Sequence, residues 1–139
     1  MSFVLDSSLT IAWFVPDERT APTQALLDRA AEDGAVAPDF WRLEIGNALL
    51  VATRRKRLTA PQRAEALRQL VFLPIEIDSE VSLHAWDHTL QLADQFGLTL
   101  YDACYLELAQ RRNLPLASLD KSLRAAGRKL KIPLLETRA

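Results

Sequence analysis

Cysteine occurs once, histidine twice and glycine four times in this 139-residue chain, and each scarcity removes a class of chemistry. With Cys104 alone no internal disulfide can form, which fits a reducing cytosol. One thiol and two imidazoles cannot supply the nitrogen and sulfur ligands of a zinc centre. His84 and His88 do stand at i,i+4, expected on one helix, but the glutamate of an H-E-x-x-H motif is missing, so both read as partly buried or surface residues. Four glycines leave no Walker loop, no G-x-G-x-x-G and no G-x-S-x-G, so neither a glycine-rich phosphate cradle nor a nucleophile elbow is on offer. No apolar run nears the roughly 18 residues that span a bilayer. The start lacks a basic n-region, and Asp6 interrupts the first apolar stretch. A net charge of −1 gives no global pull towards nucleic acid or membrane, so a charged partner must be met by a local patch. The expectation is a single soluble cytoplasmic domain over residues 1–139, with no membrane partner.

What the chain has instead is 49% hydrophobic content arranged as short apolar runs alternating with amphipathic stretches. Phe3-Val4-Leu5 reads as a first strand, Ala35-Val36-Ala37 as a second, Pro74 to Asp78 as a third and Leu114 to Leu119 as a fourth. Ile132 to Leu135 makes a last short one. Between them fall helices over Leu9 to Val15, from near Thr20 to Gly34, and from Pro38-Asp39 to about Arg55. The third of these carries Phe40, Leu43, Ala48 and Val51 on its apolar face. Thr59-Ala60-Pro61-Gln62 has the form of a capping box and opens a fourth helix to about Val71. Ser79 caps a long fifth helix that ends at Gly97, Thr99 opens a sixth to about Arg112, and Lys121 begins a seventh that reaches about Lys129. This alternation predicts the α/β class: a three-layer α/β/α sandwich around a central parallel sheet.

Four acids stand out against that frame. Asp6 ends the first strand, Asp120 ends the fourth, and both belong on the same sheet edge because right-handed crossovers align the strand ends. In an open parallel sheet that edge collects ligands and chemistry. Asp102 lies in the first turn of the sixth helix, which its preceding loop can deliver to either edge. Glu44 sits within the third helix, on a face shared with Asn47, Ala48, Phe40 and Val51, where an unpaired carboxylate is expensive to bury. Taken singly, each acid also fits a capping or solvated role, and Ser7 or Ser8 fits a helix cap. Taken together, carboxylates crowded at one place repel and raise one another's pKa unless a cation neutralises them, and a hard ion such as Mg²⁺ or Mn²⁺ takes oxygen ligands of this kind. Cys104, on the apolar side of its helix, reads as core.

Four segments then carry a family resemblance: Phe3-Val4-Leu5-Asp6-Ser7-Ser8, Leu43-Glu44-Ile45-Gly46-Asn47-Ala48-Leu49, Leu98-Thr99-Leu100-Tyr101-Asp102-Ala103, and Leu116-Ala117-Ser118-Leu119-Asp120-Lys121-Ser122-Leu123. In this order and spacing the chain resembles the PIN domain, and specifically the VapC-like toxins of type II toxin–antitoxin modules. The resemblance implies a PIN-like fold and metal-dependent endoribonuclease activity, in which a water activated by Mg²⁺ or Mn²⁺ cleaves an RNA phosphodiester. It implies that Asp6, Glu44, Asp102 and Asp120 form the acidic set that holds the ion, with Glu44 either a ligand or a general base. Ser118 matches the family's hydroxyl residue near the last acid, and Asn47 reads as a helper that aims the acids. A cognate antitoxin and a homodimer are implied as partners.

Such an enzyme needs cations to hold the RNA backbone, and two runs qualify: Arg54-Arg55-Lys56-Arg57, and Lys121, Arg124 and Arg128 on the last helix. Trp13, Phe14, Trp41 and Trp86 read as core aromatics, with a contact surface as the alternative. The alternatives on function are a non-toxin PIN-type nuclease acting on DNA or structured nucleic acid, and a phosphoacceptor receiver-like domain. For the latter Asp6 lacks an adjacent acid, and Asp78 is the only acid at the end of the third strand.

Overall fold

Residues 3 to 5 are divided between two cores, and that division organises the molecule. In the computed structural model, which describes residues 2–138, Phe3 and Leu5 point to one face of the sheet and Val4 to the other. Successive side chains of a strand alternate in this way. Four strands, β1 (Val4–Leu5), β2 (Ala35–Pro38), β3 (Ile75–Asp78) and β4 (Leu116–Ala117), lie in the order β3-β2-β1-β4. Every pairing is parallel, with Val4 opposite both Val36 and Leu116, and Pro38 opposite Asp78. Helices α1 (Ser7–Phe14), α2 (Ala21–Asp33), α3 (Trp41–Arg54) and α4 (Ala60–Phe72) cover the face that holds Phe3 and Leu5. Helices α5 (His88–Phe96), α6 (Leu100–Arg112) and α7 (Lys121–Lys129) cover the face that holds Val4, Val36 and Leu116. The result is the expected three-layer α/β/α sandwich. No helix among the described residues is long and apolar enough to cross a membrane.

Local chemistry explains most of the boundaries. Thr59 and Gln62 form the capping box read from the sequence, and Thr20 with Thr23 forms a second at the start of α2. Gly97 ends α5 in the left-handed conformation, at φ 65°, where a residue without a Cβ is least strained. Of the four aromatics expected in the core, Trp13, Phe14 and Trp41 are buried there, whereas Trp86 is 91% exposed and is no part of it.

Three expectations are corrected. The apolar stripe of α3 is Trp41, Ile45, Leu49 and Ala52, and Leu43 is 79% exposed. Pro38 stays in β2, paired with Asp78, so the helix begins only at Trp41 and its buried stripe lies elsewhere. Glu44 accordingly falls in its first turn. The long helix expected from Ser79 is broken into a 3₁₀ turn, Val81–His84, and α5. Asp78 accepts the Glu80 N–H at 3.0 Å and Asp87 accepts the His88 N–H at 2.6 Å, so both side chains hold the backbone in turns. His84 and His88 therefore do not share a helix. His84 faces Glu107 at 3.9 Å while His88 bonds Gln110 at 2.9 Å, which leaves them no common ligand. The last strand shrinks to a single bridge, Leu134 beside Leu116.

Asp78 does not join the site. Its carboxylate accepts from Arg111 at 3.0 and 3.2 Å and from Arg112 at 3.2 Å, and Arg111 also donates to the buried Glu107 at 2.6 Å. Burial pushes Asp78 up, yet the bonds from Arg111, the Glu80 backbone and Arg112 hold it below the ordinary aspartate value. This network fastens the edge strand β3 to α6. Removing one partner from a buried pair leaves an uncompensated charge, at a cost of several kcal/mol. Arg111→Met is expected to lower the unfolding free energy by about 3 kcal/mol in urea denaturation, and the double change Arg111→Met with Glu107→Leu is expected to recover part of that loss.

Candidate active site

Two serine hydroxyls determine how the acid at the end of β1 is held. β1 and β4 are neighbours, and the Asp6 N–H donates to the Ala117 carbonyl at 3.1 Å, which brings Ser118 alongside. Ser118 Oγ donates to Asp6 Oδ2 at 2.6 Å and accepts from the Asp120 N–H at 3.0 Å. Ser8, in the first turn of α1, donates to the same Oδ2 at 2.6 Å and accepts from the Leu119 N–H at 3.0 Å. Both hydroxyls bind the Asp6 carboxylate and tie it to the turn that leads to Asp120. Asp6 occupies the cap position of α1, but its side chain makes no capping bond. The capping role open to Asp6 from sequence is thus not the one it takes.

The other acids arrive from helix starts. Thr99 accepts the Asp102 N–H at 3.1 Å and caps α6, so the Asp102 carboxylate is not spent on the cap. Asp120 caps α7 through Oδ1, which accepts from the Leu123 N–H at 2.8 Å. Glu44 accepts a short hydrogen bond from the hydroxyl of Tyr105, a fully buried residue of α6 whose ring packs edge-on to Phe40 at 5.9 Å.

Asp6, Ser8, Asp102 and Asp120 line a hollow of about 340 Å³, and Glu44, Asn47, Tyr101 and Asp102 line a neighbouring one of about 550 Å³. Asp102 belongs to both, so the two form one trough with all four sequence-picked acids along it. Among the described residues no three Asp, Glu, His or Cys side chains are grouped tightly enough to hold an ion as they stand.

The electrostatics are those of carboxylates without a cation. Asp6 is 4% exposed, and burial raises its pKa. The two serine bonds oppose that rise, and the charges of Asp102 and Asp120 add to it. Burial also raises Glu44, against the Tyr105 bond, with Asp6 and Asp102 adding their repulsion. Asp102 is raised by burial and then by Asp120, with the Thr99 contact opposing. Among the described residues no Lys or Arg forms an ion pair with Asp6, Glu44, Asp102 or Asp120. All donors on offer are hard oxygens, which suits a divalent cation and not a soft-ligand metal.

Sequence reasoning missed Tyr105, and it left Ser8 between a helix cap and a contact to the metal's water shell, not the bond to Asp6 that it makes. Tyr105 follows Asp102 by three residues, on the same side of the helix, and a buried phenol needs a partner; those two facts were available as a signal. Asn47 is exposed at the rim and makes no hydrogen bond to an acid among the described residues, so the aiming role expected of it is not seen. Cys104 is buried, and burial together with Glu107 and other nearby acids pushes its thiol up to about 12, as suits an inert core residue. In the first basic run, Arg57 is already paired with Asp17 at 3.1 Å and Glu18 at 2.7 Å.

A carboxyl whose folded pKa is raised binds protons more tightly in the native state. Stability then declines as pH rises from the unfolded value, 3.8 for Asp6, through the raised folded value. Asp6→Asn is therefore expected to stabilise the metal-free protein by about 0.5–2 kcal/mol near neutral pH, with a gain that shrinks towards pH 4. Thermal unfolding of both proteins across that range measures it.

Comparison with known proteins bears on the family and the fold. Ribonuclease VapC3 of Pyrobaculum aerophilum is 29% identical to the chain over 127 residues, covering 88% of this chain and 92% of the relative. The crystal structure of PAE2754 from Pyrobaculum aerophilum matches with a TM-score of 0.65 at 24% identity, over 91% of this chain and 87% of the other, a likeness of fold. The PIN domain matches residues 3–129, which span all four strands, all seven helices and every acid of the trough, and the chain accordingly belongs to the PIN-domain family.

Proposed function

We propose that this protein is a PIN nuclease that cuts RNA internally, a Mg²⁺- or Mn²⁺-dependent endoribonuclease, and that it serves as the toxin of a toxin–antitoxin pair. The observation that carries the reading is the Asp6 carboxylate, bonded by two serines, raised first by its burial and then by the charges of Asp102 and Asp120, with no Lys or Arg paired to it among the described residues. An ion is the simplest neutraliser of such a group, and the oxygen-only donor set suits it. Asp6, Asp102 and Asp120 would hold it, directly or through water, with Glu44 at the far end of the trough. A bound Mg²⁺ or Mn²⁺ supplies charge to the scissile phosphate and a water acidic enough to attack it near neutral pH.

The chain's own groups have separable tasks. Ser8 and Ser118 fix the Asp6 carboxylate by both donating to Oδ2, which leaves Oδ1 outside those two bonds. Tyr105 orients Glu44, whose carboxyl burial holds above its ordinary value, a direction that suits a group that accepts a proton. The relative's name, ribonuclease VapC3, supports RNA as substrate and a cognate antitoxin as partner. A cytoplasmic location and a homodimer belong to the same reading.

The test is cleavage of single-stranded RNA by the purified protein with Mn²⁺ or Mg²⁺. Asp6→Asn and Asp102→Asn are each expected to reduce kcat by about 100-fold or more, and Ser118→Ala by about 10–100-fold, as for partners that orient metal ligands. Cleavage that survives both aspartate changes, or that continues in excess chelator, overturns the metal-dependent assignment of the trough. Growth arrest on expression, relieved by Asp6→Asn, tests the toxin role.

A further inference from the structure

Beside the acidic trough lies a second hollow, of about 500 Å³, with the opposite charge. Its walls carry Lys121, Arg124 and Arg128 from α7 and Arg138 from the segment after the Leu134 bridge. The three helix residues stand at i, i+3 and i+7, a spacing that puts them on one side of α7. One acid, Glu136, faces four cations there. Among the described residues none of the four forms an ion pair, in contrast to Arg57, Arg68, Arg111 and Arg112.

The two hollows are physically joined. Leu119 lines both. Arg124 Nη1 donates to the Ser118 carbonyl at 3.0 Å and to the Leu135 carbonyl at 3.1 Å, so the residue that bonds Asp6 on one side is held by the basic wall on the other. Burial and the charges of Arg128 and Arg138 together lower the Arg124 pKa. These cations are crowded against one another, and a bound anion relieves that crowding.

We infer that this basic hollow seats a backbone phosphate of the RNA strand next to the scissile one, so that a single strand runs across Leu119 from the trough into the cleft between α7 and the C-terminal segment. The inference rests on the nuclease reading of the trough and gives it a direction. A phosphodiester held at the acids is repelled by their charge, and its neighbour needs cations close by. The Arg54–Arg57 run is a poorer candidate, because Arg57 is committed to Asp17 and Glu18.

The experiment measures binding apart from cleavage. A short single-stranded RNA of mixed sequence, fluorescently labelled and free of terminal phosphates, is titrated with the full-length protein in chelator at several salt concentrations. Arg128 and Arg138 are exposed, so their replacement leaves the fold intact. At about 0.7 released counterions per phosphate contact, the Arg128→Ala/Arg138→Ala protein, which loses the one phosphate contact of the hollow, is expected to lose about 0.7 from the slope of log affinity against log salt. That corresponds to roughly 5-fold weaker binding in about 0.1 M salt. In the metal-dependent cleavage assay the same protein shows a raised KM with kcat within about twofold of the parent. An unchanged slope overturns the inference, as does a loss that appears in Arg54→Ala/Arg55→Ala instead. If the slope falls as expected while the parent protein cuts no RNA, the hollow stands as an RNA site and the catalytic reading of the trough fails.

Discussion

One carboxylate, placed where water cannot easily reach it and where no Lys or Arg among the described residues pairs with it, sets the terms for the rest of the structure. Asp6 is at the end of the central strand β1, with β2 on one side and β4 on the other. Its burial follows from the apolar residues that precede it, since Phe3, Val4 and Leu5 have no exposed surface and draw the strand into the middle of both cores. The cost of a buried charge is met in part by the hydroxyls of Ser8 and Ser118, brought from α1 and from the end of β4. Those bonds in turn fix the Ser118–Asp120 turn, whose acid then lies close enough to repel Asp6. The strand order, the turn after β4 and the electrostatics of the trough are therefore one connected arrangement.

Much of this was legible in the sequence, and for identifiable reasons. Strand–helix alternation and the aligned ends of parallel strands placed Asp6 and Asp120 together before any coordinates. The capping box at Thr59 and Gln62 marked α4 because both partners lie within one turn. Part of what was not legible depended on partners distant in sequence, and part on competing local bonds. Pro38 is held in β2 by Asp78, 40 residues away in the numbering, and this shifts the start of α3 and its buried stripe. The interruption of the expected fifth helix depends on Asp78 and Asp87 side chains that bond backbone groups next to them. Sequence alone did not rank those local bonds above helix continuation. Tyr105 was overlooked because its hydroxyl finds Glu44 across 61 positions. Asn47 lines the trough beside Glu44 but bonds no acid among the described residues, because helical spacing places a side chain on a face without fixing its partner.

The near-neutral net charge of −1 conceals a strong local separation. Carboxylates line one hollow and four cations line the next, with Leu119 between them. Four other arginines are neutralised: Arg111 and Arg112 by Asp78, Arg57 by Asp17 and Glu18, Arg68 by Glu65. The pattern of pairing is thus more informative than composition. Arg111 and Arg112 fasten β3 to α6, whereas the cations of the basic hollow form no ion pair among the described residues.

The central claim is that Asp6 and its neighbouring acids are arranged to share a divalent cation, and direct titration of the metal-free protein with Mn²⁺, followed by electron paramagnetic resonance of the free ion, tests it most directly. The expected result is binding near neutral pH that weakens as pH falls, because protons compete for the same oxygens, and that is largely lost in Asp6→Asn. Mn²⁺ binding of equal strength in Asp6→Asn and the parent, or no binding in either, would contradict it.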